Sequence, residues 1–484
     1  MPIAEVTPTL KHADLNDEEL VQVGHKWYLA DESGYPDVGA RYREDLSVSG
    51  GDQPNRLALV LGETLAPEQY TADIRAGNIE IKAASKRGFL HALSTLNQLR
   101  DGPALPTGHI NDQPRLPVRG LQFMFESVKQ LRFADALSLL ESAARHKLNT
   151  ILMEFGDRFP FEGEHEVVAS PSALTRGELS QLVARAEELG ITIIPLLQSL
   201  GHLGYLLKHD QYADVREEDE VRHQLCPLNE NSFPLWTELA EQVLDFFPGC
   251  LQMHIGADET RQLGVCPTCA AAAREIGVGG LYIAHTNKVC EWLDDRDIAP
   301  IIWDDILCAH PQLIDGLHPA AEIMYWDYWT TCDPSPLLVA RGCSPTVCYD
   351  ERWDGEWAGE LSPITRKALD EFAGPADLSA ALTQDYLAAY RGCLGDEFPK
   401  FVRAFPYLEH YQARGRVVFG APTCSGNHSF WHGLPDLPRH GENIKTFADR
   451  CIEASAAGMI TSAWYNRSPE FLHWGILATA EFTW

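Results

Sequence analysis

Positive charge is scarce in this chain: 39 Lys and Arg stand against 69 Asp and Glu, a formal net charge of −30 over 484 residues. Nucleic acids and anionic bilayers are held by clustered cations that displace counterions, and no basic run occurs, so neither is expected as a partner. Long apolar runs are missing as well. Aliphatic blocks such as residues 191–197 are strand-sized and fall far short of the roughly 20 residues a membrane helix needs. The opening Met1-Pro2-Ile3-Ala4-Glu5 lacks the positive segment and apolar stretch of a secretion signal. Cysteine is not dense either: 12 are scattered along the chain, which predicts reduced thiols and a cytoplasmic location in place of a disulfide framework. With 45% hydrophobic and 22% charged residues, collagen and disorder are excluded.

What is present reads as two units. Residues 57–61 and 78–82 have strand character and residues 85–99 have helical spacing, a small α+β domain. Gly102-Pro103, Pro106, Pro114 and Pro117 then interrupt regular structure and read as a linker, giving a first unit of residues 1–115. From 116 to 484, short apolar runs alternate with amphipathic helices. Candidate strands are 119–124, 149–155, 191–197, 251–256, 299–303, 321–326, 416–421 and 459–464. Helices are expected at 133–147, 177–190, 232–246, 280–297 and 442–457. Eight βα repeats match a (β/α)8 barrel. A doubly wound sheet would want a Gly-rich phosphate turn after its first strand, and none is found; Gly277 to Gly280 follows a helix and reads as its end. Residues 355–412 exceed a βα loop and read as a helical insertion.

Barrel chemistry comes from the C-terminal ends of strands. Those ends carry Glu154 and Asp157, Gln198 and His202, His254 with Asp258 and Glu259, Trp303 with Asp304 and Asp305, Trp326 with Asp327, and Trp464. Indole faces stack on sugar C–H faces while carboxylates take the hydroxyls, so a rim of both suits a carbohydrate. Any single Trp is equally a packing residue. The sharpest signal is His254-Ile255-Gly256-Ala257-Asp258-Glu259. Adjacent acids at a strand end point apart, so one can reach a leaving-group oxygen while the other addresses a different part of the substrate, as glycoside hydrolysis requires. An Asp-Glu pair alone is also an ordinary solvated turn.

This hexapeptide resembles the His-x-Gly-x-Asp-Glu signature of the family 20 glycoside hydrolases, the β-N-acetylhexosaminidases. Arg119-Gly120-Leu121, Lys147-Leu148-Asn149-Thr150, Pro195 through Gly201-His202, and Trp303-Asp304 agree in order. Glu154-Phe155-Gly156-Asp157-Arg158-Phe159-Pro160, Gln198-Ser199-Leu200-Gly201-His202 and Gln224-Leu225-Cys226-Pro227 look closest to the hexosaminidase D and streptococcal N-acetyl-β-glucosaminidase-like branch, which lacks a secretion signal. The likeness covers about residues 57–484. It implies an exo-acting enzyme that removes terminal GlcNAc or GalNAc with retention, the substrate's own 2-acetamido oxygen serving as nucleophile through an oxazolinium.

On that resemblance Glu259 would be the general acid and then the base for water, with its pKa raised above the usual value of about 4.3. Asp258 would hold the acetamido N–H and stabilise the ring. Substrate binding would fall to Arg119, Trp303, Trp326, Trp464, Glu154, Asp157, His202, His254 and Asp327, with the two histidines orienting the acids. Some positions depart from the secreted members: Gln198 stands where many have Asp, and Leu152-Met153-Glu154 where many have His-x-His. A Tyr-x-Asp after the seventh strand is replaced by residues 421–427, leaving Tyr325, Tyr328 and Asn427 as candidates for the acetamido carbonyl. No cofactor and no metal are required, and the partners expected are an amino-sugar glycoside, with room for a homodimer. Cys266-Pro267-Thr268-Cys269 is half of a zinc pattern without an obvious second half; packing thiols, a metal site completed from a distance and a disulfide all remain open. The sequons at Asn427 and Asn466 carry no meaning without secretion. Two other functions compete: a metal-dependent barrel hydrolase using His202, His254, Asp258 and the cysteines, and a catalytically inactive carbohydrate-binding protein.

Overall fold

A computed structural model of the chain describes residues 6–49, 53–126, 131–335, 337–341, 347–349, 373–374, 382–399, 401–426, 436–464 and 469–484. The first unit is a six-stranded sheet of β1 (His12–Gln22), β2 (Trp27–Glu32), β3 (Asn55–Leu61), β4 (Tyr70–Arg75), β5 (Asn78–Ala83) and β6 (Ala104–Asp112), in the order β1-β6-β4-β5-β3-β2. Helices Pro36–Leu46 and Lys86–Leu99 pack on it. Ser85 starts the second helix by accepting the N–H of Gly88, which satisfies one of its orphan donors. The alternation Ile79, Ile81, Ala83 on β5 faces the core shared with Leu57, Leu59 and Phe89.

Residues 104–112, expected as part of the linker, instead form β6. Pro106 is tolerated because it pairs with Leu20 where the β1–β6 register shifts, and a proline is accommodated at such an irregularity.

All eight barrel strands expected from the sequence are present. They are β7 (Val118–Met124), β8 (Thr150–Glu154), β9 (Thr192–Leu196), β10 (Gln252–His254), β11 (Ala299–Trp303), β12 (Glu322–Trp326), β16 (Val418–Ala421) and β18 (Gly458–Ala463). Each pairs in parallel with the next, and β16–β18 and β18–β7 pairings close the cylinder. Side chains alternate as the pleat demands. Leu152, Ile194, Ile301, Trp303, Met324, Phe419 and Ile460 fill the interior, while Ile151, Met153, Ile193, Ile302 and Tyr325 face the helical layer. The helix Arg176–Glu188 begins with a complete capping box between Thr175 and Glu178. The helix after β10 starts earlier than its spacing suggested, running over Pro267–Asp294 with a break at Gly277, whose φ of 75° no other residue adopts as readily.

Outside the barrel, β13 (Leu337–Val339), β14 (Val347–Tyr349) and β15 (Ala373–Gly374) form a small sheet, and β17 (Thr423–Ser425) flanks β18. Of the stretch read as an insertion, residues 355–372, 375–381 and 400 lie outside the described residues; β15 and the helices Gln384–Tyr390 and Tyr407–Gln412 lie in its remainder. Asn427 and Asn466 also lie outside them. No helix among the described residues is long and apolar enough to cross a membrane.

Candidate active site

The acid pair leaves β10 on a turn that few residues could form. Gly256 has φ of 64°, and a Cβ there would lie 1.7 Å from Gln198 Oε1. Ala257 and Glu259 are also left-handed, at 67° and 48°, as is His202 at 54°. Non-glycine residues held in this region cost of order 1–3 kcal/mol each, and such strain collects at functional sites. Gly201 packs so close that a Cβ would stand 2.5 Å from the Asp258 carbonyl oxygen. The loop after β9 therefore sits directly against the loop after β10.

That contact brings His202 Nε2 to 3.3 Å from Asp258 Oδ2 and 3.5 Å from Glu259 Oε2. Burial would lower the imidazole's pKa, but the two carboxylates, Asp258 foremost, push it up to about 11, so the ring is a cation. In return the hydrogen bond from His202 holds Glu259 down at about 2, against its own partial burial and with Arg261 Nη2 adding a bond of 2.9 Å to Oε1. The expectation of a raised pKa at Glu259 is thus reversed in the unliganded site: one cation lies between two carboxylates. Asp258 is buried, and its Oδ1 has no donor among the described residues. It is an acceptor turned toward a missing N–H or O–H.

Two further acids surround the pair. Glu154, at the end of β8, accepts 3.1 and 3.2 Å bonds from Gln122 Nε2 and Gln198 Nε2. Burial lifts its pKa to about 7. Asp305, seen at a strand end but given no role in the sequence, accepts the Glu259 N–H at 3.0 Å. Its pKa is raised by burial and then by the charge of Asp258. Gln198 therefore reaches an acid across the rim where an Asp at its position would itself be charged.

The tryptophans line the same end. Trp303 is fully buried between His254 and Trp464, whose tilted rings lie 4.5 and 5.9 Å away between centroids. Trp326 and Trp464 are partly exposed, and Tyr328 lies 5.0 Å from the first and 6.3 Å from the second. The indole nitrogens of Trp303 and Trp326 lack acceptors among the described residues, while the Trp464 side chain reaches the Tyr328 hydroxyl. Arg341, which no sequence pattern marked, stacks its guanidinium 3.7 Å over Trp326 and donates to Asp304 at 3.0 Å. Asp304 also takes the Trp326 N–H and the Tyr411 hydroxyl. An ion pair thus fixes the outer face of one indole.

Several expected contributors lie elsewhere. Arg119 is second in β7, at the opposite end of the barrel. Its guanidinium is fully buried, donates to the carbonyls of Leu116, Pro117 and Lys147 and pairs with Glu68 of the small domain. It has no donor left for a sugar. Asp327 spends its carboxylate on its own turn, accepting the N–H groups of Trp329 and Thr330 and the Thr330 hydroxyl. His254 is buried and neutral, its pKa pushed down to about 3 by burial; Nδ1 accepts the Gly256 N–H, so it shapes the turn without touching the acids. Asp157 stands in the turn after β8 with Lys208 at 3.8 Å. Tyr325 points outward into Phe405, Tyr407 and Phe447, which removes it as a ligand for an acetamido carbonyl. Since His254 is turned away, the metal set of His202, His254 and Asp258 does not assemble among the described residues.

Comparison with known proteins agrees with this geometry. A model described as glycosyl hydrolase family 20, catalytic domain, matches residues 139–350, and one described as glycosyl hydrolase family 20, domain 2, matches residues 4–113. Hexosaminidase D of Homo sapiens is 29% identical over 192 residues, 38% of this chain and 40% of that protein. Hexosaminidase D of Bos taurus is 31% identical over 202 residues, 40% of this chain and 58% of that protein. The matched stretch is thus about half the length of these curated relatives. A β-N-acetylhexosaminidase from Bacteroides fragilis superposes with a TM-score of 0.70 at 16% identity, over 99% of this chain and 90% of the other. A Vibrio harveyi exo-β-N-acetylglucosaminidase, solved with N-acetylglucosamine, gives 0.68 at 18% identity, over 100% and 75%.

Proposed function

The chain belongs to glycoside hydrolase family 20, and from that membership we propose that it is an exo-acting β-N-acetylhexosaminidase working by retention with the substrate's 2-acetamido group as nucleophile. The observation that carries this reading is the pair at the rim: Asp258 with a buried, unpartnered Oδ1, beside Glu259 in hydrogen-bond reach of a cationic His202. The acetamido N–H supplies the donor that Oδ1 lacks, and the negative charge then favours the positive ring that forms. Attack by the acetamido oxygen closes the oxazolinium as the C1–O bond breaks, and Glu259 gives its proton to the departing oxygen. Water then adds at C1 while Glu259 takes its proton back.

Because Glu259 rests ionised, it must take up a proton before it can act as the acid. Displacing the exposed Arg261 removes one support of the carboxylate, whose Oε2 stands 3.5 Å from His202 Nε2. A sugar that buries the carboxylate raises its affinity for a proton, which solvent supplies as the site fills. The other acids are poor nucleophiles: Glu154 is buried, half-protonated near neutrality and donated to by two glutamines. Trp326, Trp464 and Tyr328 would wall the sugar and the acetamido methyl. The cytoplasmic location is part of the same proposal and rests on the 12 scattered cysteines of the sequence.

The discriminating experiment compares aryl glycosides. Aryl N-acetyl-β-glucosaminide and N-acetyl-β-galactosaminide should be hydrolysed, the corresponding β-glucoside and β-galactoside hardly at all, and a thiazoline analogue of the oxazolinium should inhibit competitively. A glycosyl ester trapped on any Asp or Glu would overturn the substrate-assisted step.

A further inference from the structure

The half-motif Cys266-Pro267-Thr268-Cys269 finds its missing half in space. Cys226, from the loop after β9, places its Sγ 3.6 Å from Cys266 Sγ and 3.5 Å from Cys269 Sγ. One carboxylate oxygen of Glu217 joins them, and the four atoms lie within 4.8 Å of one another. A disulfide would bring two sulfurs to about 2.05 Å, so no pair here is bonded. A tetrahedral zinc with Zn–S of about 2.3 Å sets thiolates about 3.8 Å apart, close to what is seen.

The surroundings suit a cation. Glu217 is buried and anchored: Oε1 accepts the N–H groups of Gly264, Val265 and Cys266 at 3.0, 2.8 and 3.1 Å. Its Oε2 is buried, has no N–H or O–H donor among the described residues, and faces the Cys269 thiol. Cys266 caps the helix Pro267–Asp294 and its sulfur accepts the Cys269 N–H at 3.3 Å. Three soft thiolates select zinc over calcium or magnesium, and a carboxylate as fourth ligand closes the coordination sphere, leaving no open position for chemistry.

We propose that Glu217, Cys226, Cys266 and Cys269 hold a structural zinc ion that clips the loop after β9 to the loop after β10. On binding, the three thiols release their protons to solvent and Zn²⁺ takes their lone pairs together with one from the carboxylate. The location gives the clip its purpose. Cys226 lies three residues beyond His223, whose ring stands 4.9 Å from that of His202. Cys266 lies seven residues beyond Glu259, and between them the Gln262 N–H reaches Gln224 Oε1 at 3.2 Å. The ion would anchor both loops that deliver the acids and the histidine, without touching a reacting atom.

The test is elemental analysis of tag-free protein purified without chelator. One zinc per chain is expected, lost in Cys226→Ser and in the Cys266→Ser/Cys269→Ser double variant. Because those variants are at risk of misfolding, the wild type should also be stripped under reducing conditions and reloaded with Co²⁺. Thiolate-to-cobalt charge-transfer bands with the visible bands of tetrahedral cobalt are the expected result, together with protection of three thiols from a disulfide-exchange reagent. Metal-free protein that, once stripped, takes up neither Zn²⁺ nor Co²⁺ through thiolates would overturn the proposal, and so would zinc retained at full stoichiometry by the folded double variant. Neither result depends on the glycosidase reading.

Discussion

At the N-terminal end of the barrel, buried charges meet their counterparts. Arg119 is paired with Glu68, which also takes bonds from His91 and Asn149. Lys147 donates to Asp112 at 2.8 Å and lies over the Trp484 ring, whose own N–H goes to the same carboxylate. At the C-terminal rim, charge is left short of partners: Asp258 Oδ1 and Asp305 Oδ1 have none among the described residues, and Glu154 is lifted to about 7. The backbone differs likewise, with four departures into left-handed space, at Gly256, Ala257 and Glu259 on one loop and His202 on the other. Saturation at one end makes a seam that holds two domains together. Deficit at the other makes a surface with something to offer a ligand.

Substitutions can break this contrast. Glu259→Gln should lower turnover of an unactivated disaccharide by about 10²–10⁴-fold, with smaller losses on aryl substrates and little change in a denaturation midpoint. Wild-type turnover by this variant would remove Glu259 from the chemistry. Asp112→Asn should act the other way round. It strands the buried Lys147 ammonium, so stability measured by chemical denaturation should fall by about 3–5 kcal/mol, while kcat of the folded fraction stays near that of the wild type. Asp258→Asn keeps shape and removes charge; a loss of about 10²–10³ in kcat is expected from groups of this kind, with circular dichroism unaltered.

The smallest effect is one of pH. Glu154 has its pKa raised from 4.5 to about 7, so the folded protein holds a proton that the unfolded chain has released. Its contribution favours folding at low pH and is lost as pH climbs from about 4.5 through 7, a change on the order of 3 kcal/mol. Glu154→Gln should flatten the stability profile across that window. Denaturation midpoints at pH 5 and pH 8 that fall apart in the variant as much as in the wild type would show that Glu154 titrates normally.

How much of this could be read in advance depended on what each residue meets. Barrel strands were legible because they are short, apolar and buried on both faces, as with Ile151, Leu152 and Met153. β1 was not: it is a largely exposed and mostly polar strand, His12-Ala13-Asp14-Leu15-Asn16-Asp17-Glu18-Glu19, whose only strand partner among the described residues is β6. The Asp258–Glu259 turn announced itself through adjacent acids and Gly256. Arg119 misled because an arginine on a strand looks the same at either end, yet its place at the start of β7 was enough to exclude it from the rim. Asp327 followed by Thr330 is a turn-capping spacing, and that turn takes up the carboxylate. Glu217 and Cys226 could not have been joined to the Cys266–Cys269 motif by spacing, since the fold alone brings their loop across.

The close approach of Gly201 to the Asp258 carbonyl makes that position intolerant of any side chain. Two side chains in contact can change rotamer and let their backbones slip, but here the contact is backbone on backbone, with no torsion free to absorb a displacement. A methyl group at position 201 would therefore push the loop that carries His202 off the loop that carries the acids, and the 3.3 and 3.5 Å spacings between imidazole and carboxylates would open with it.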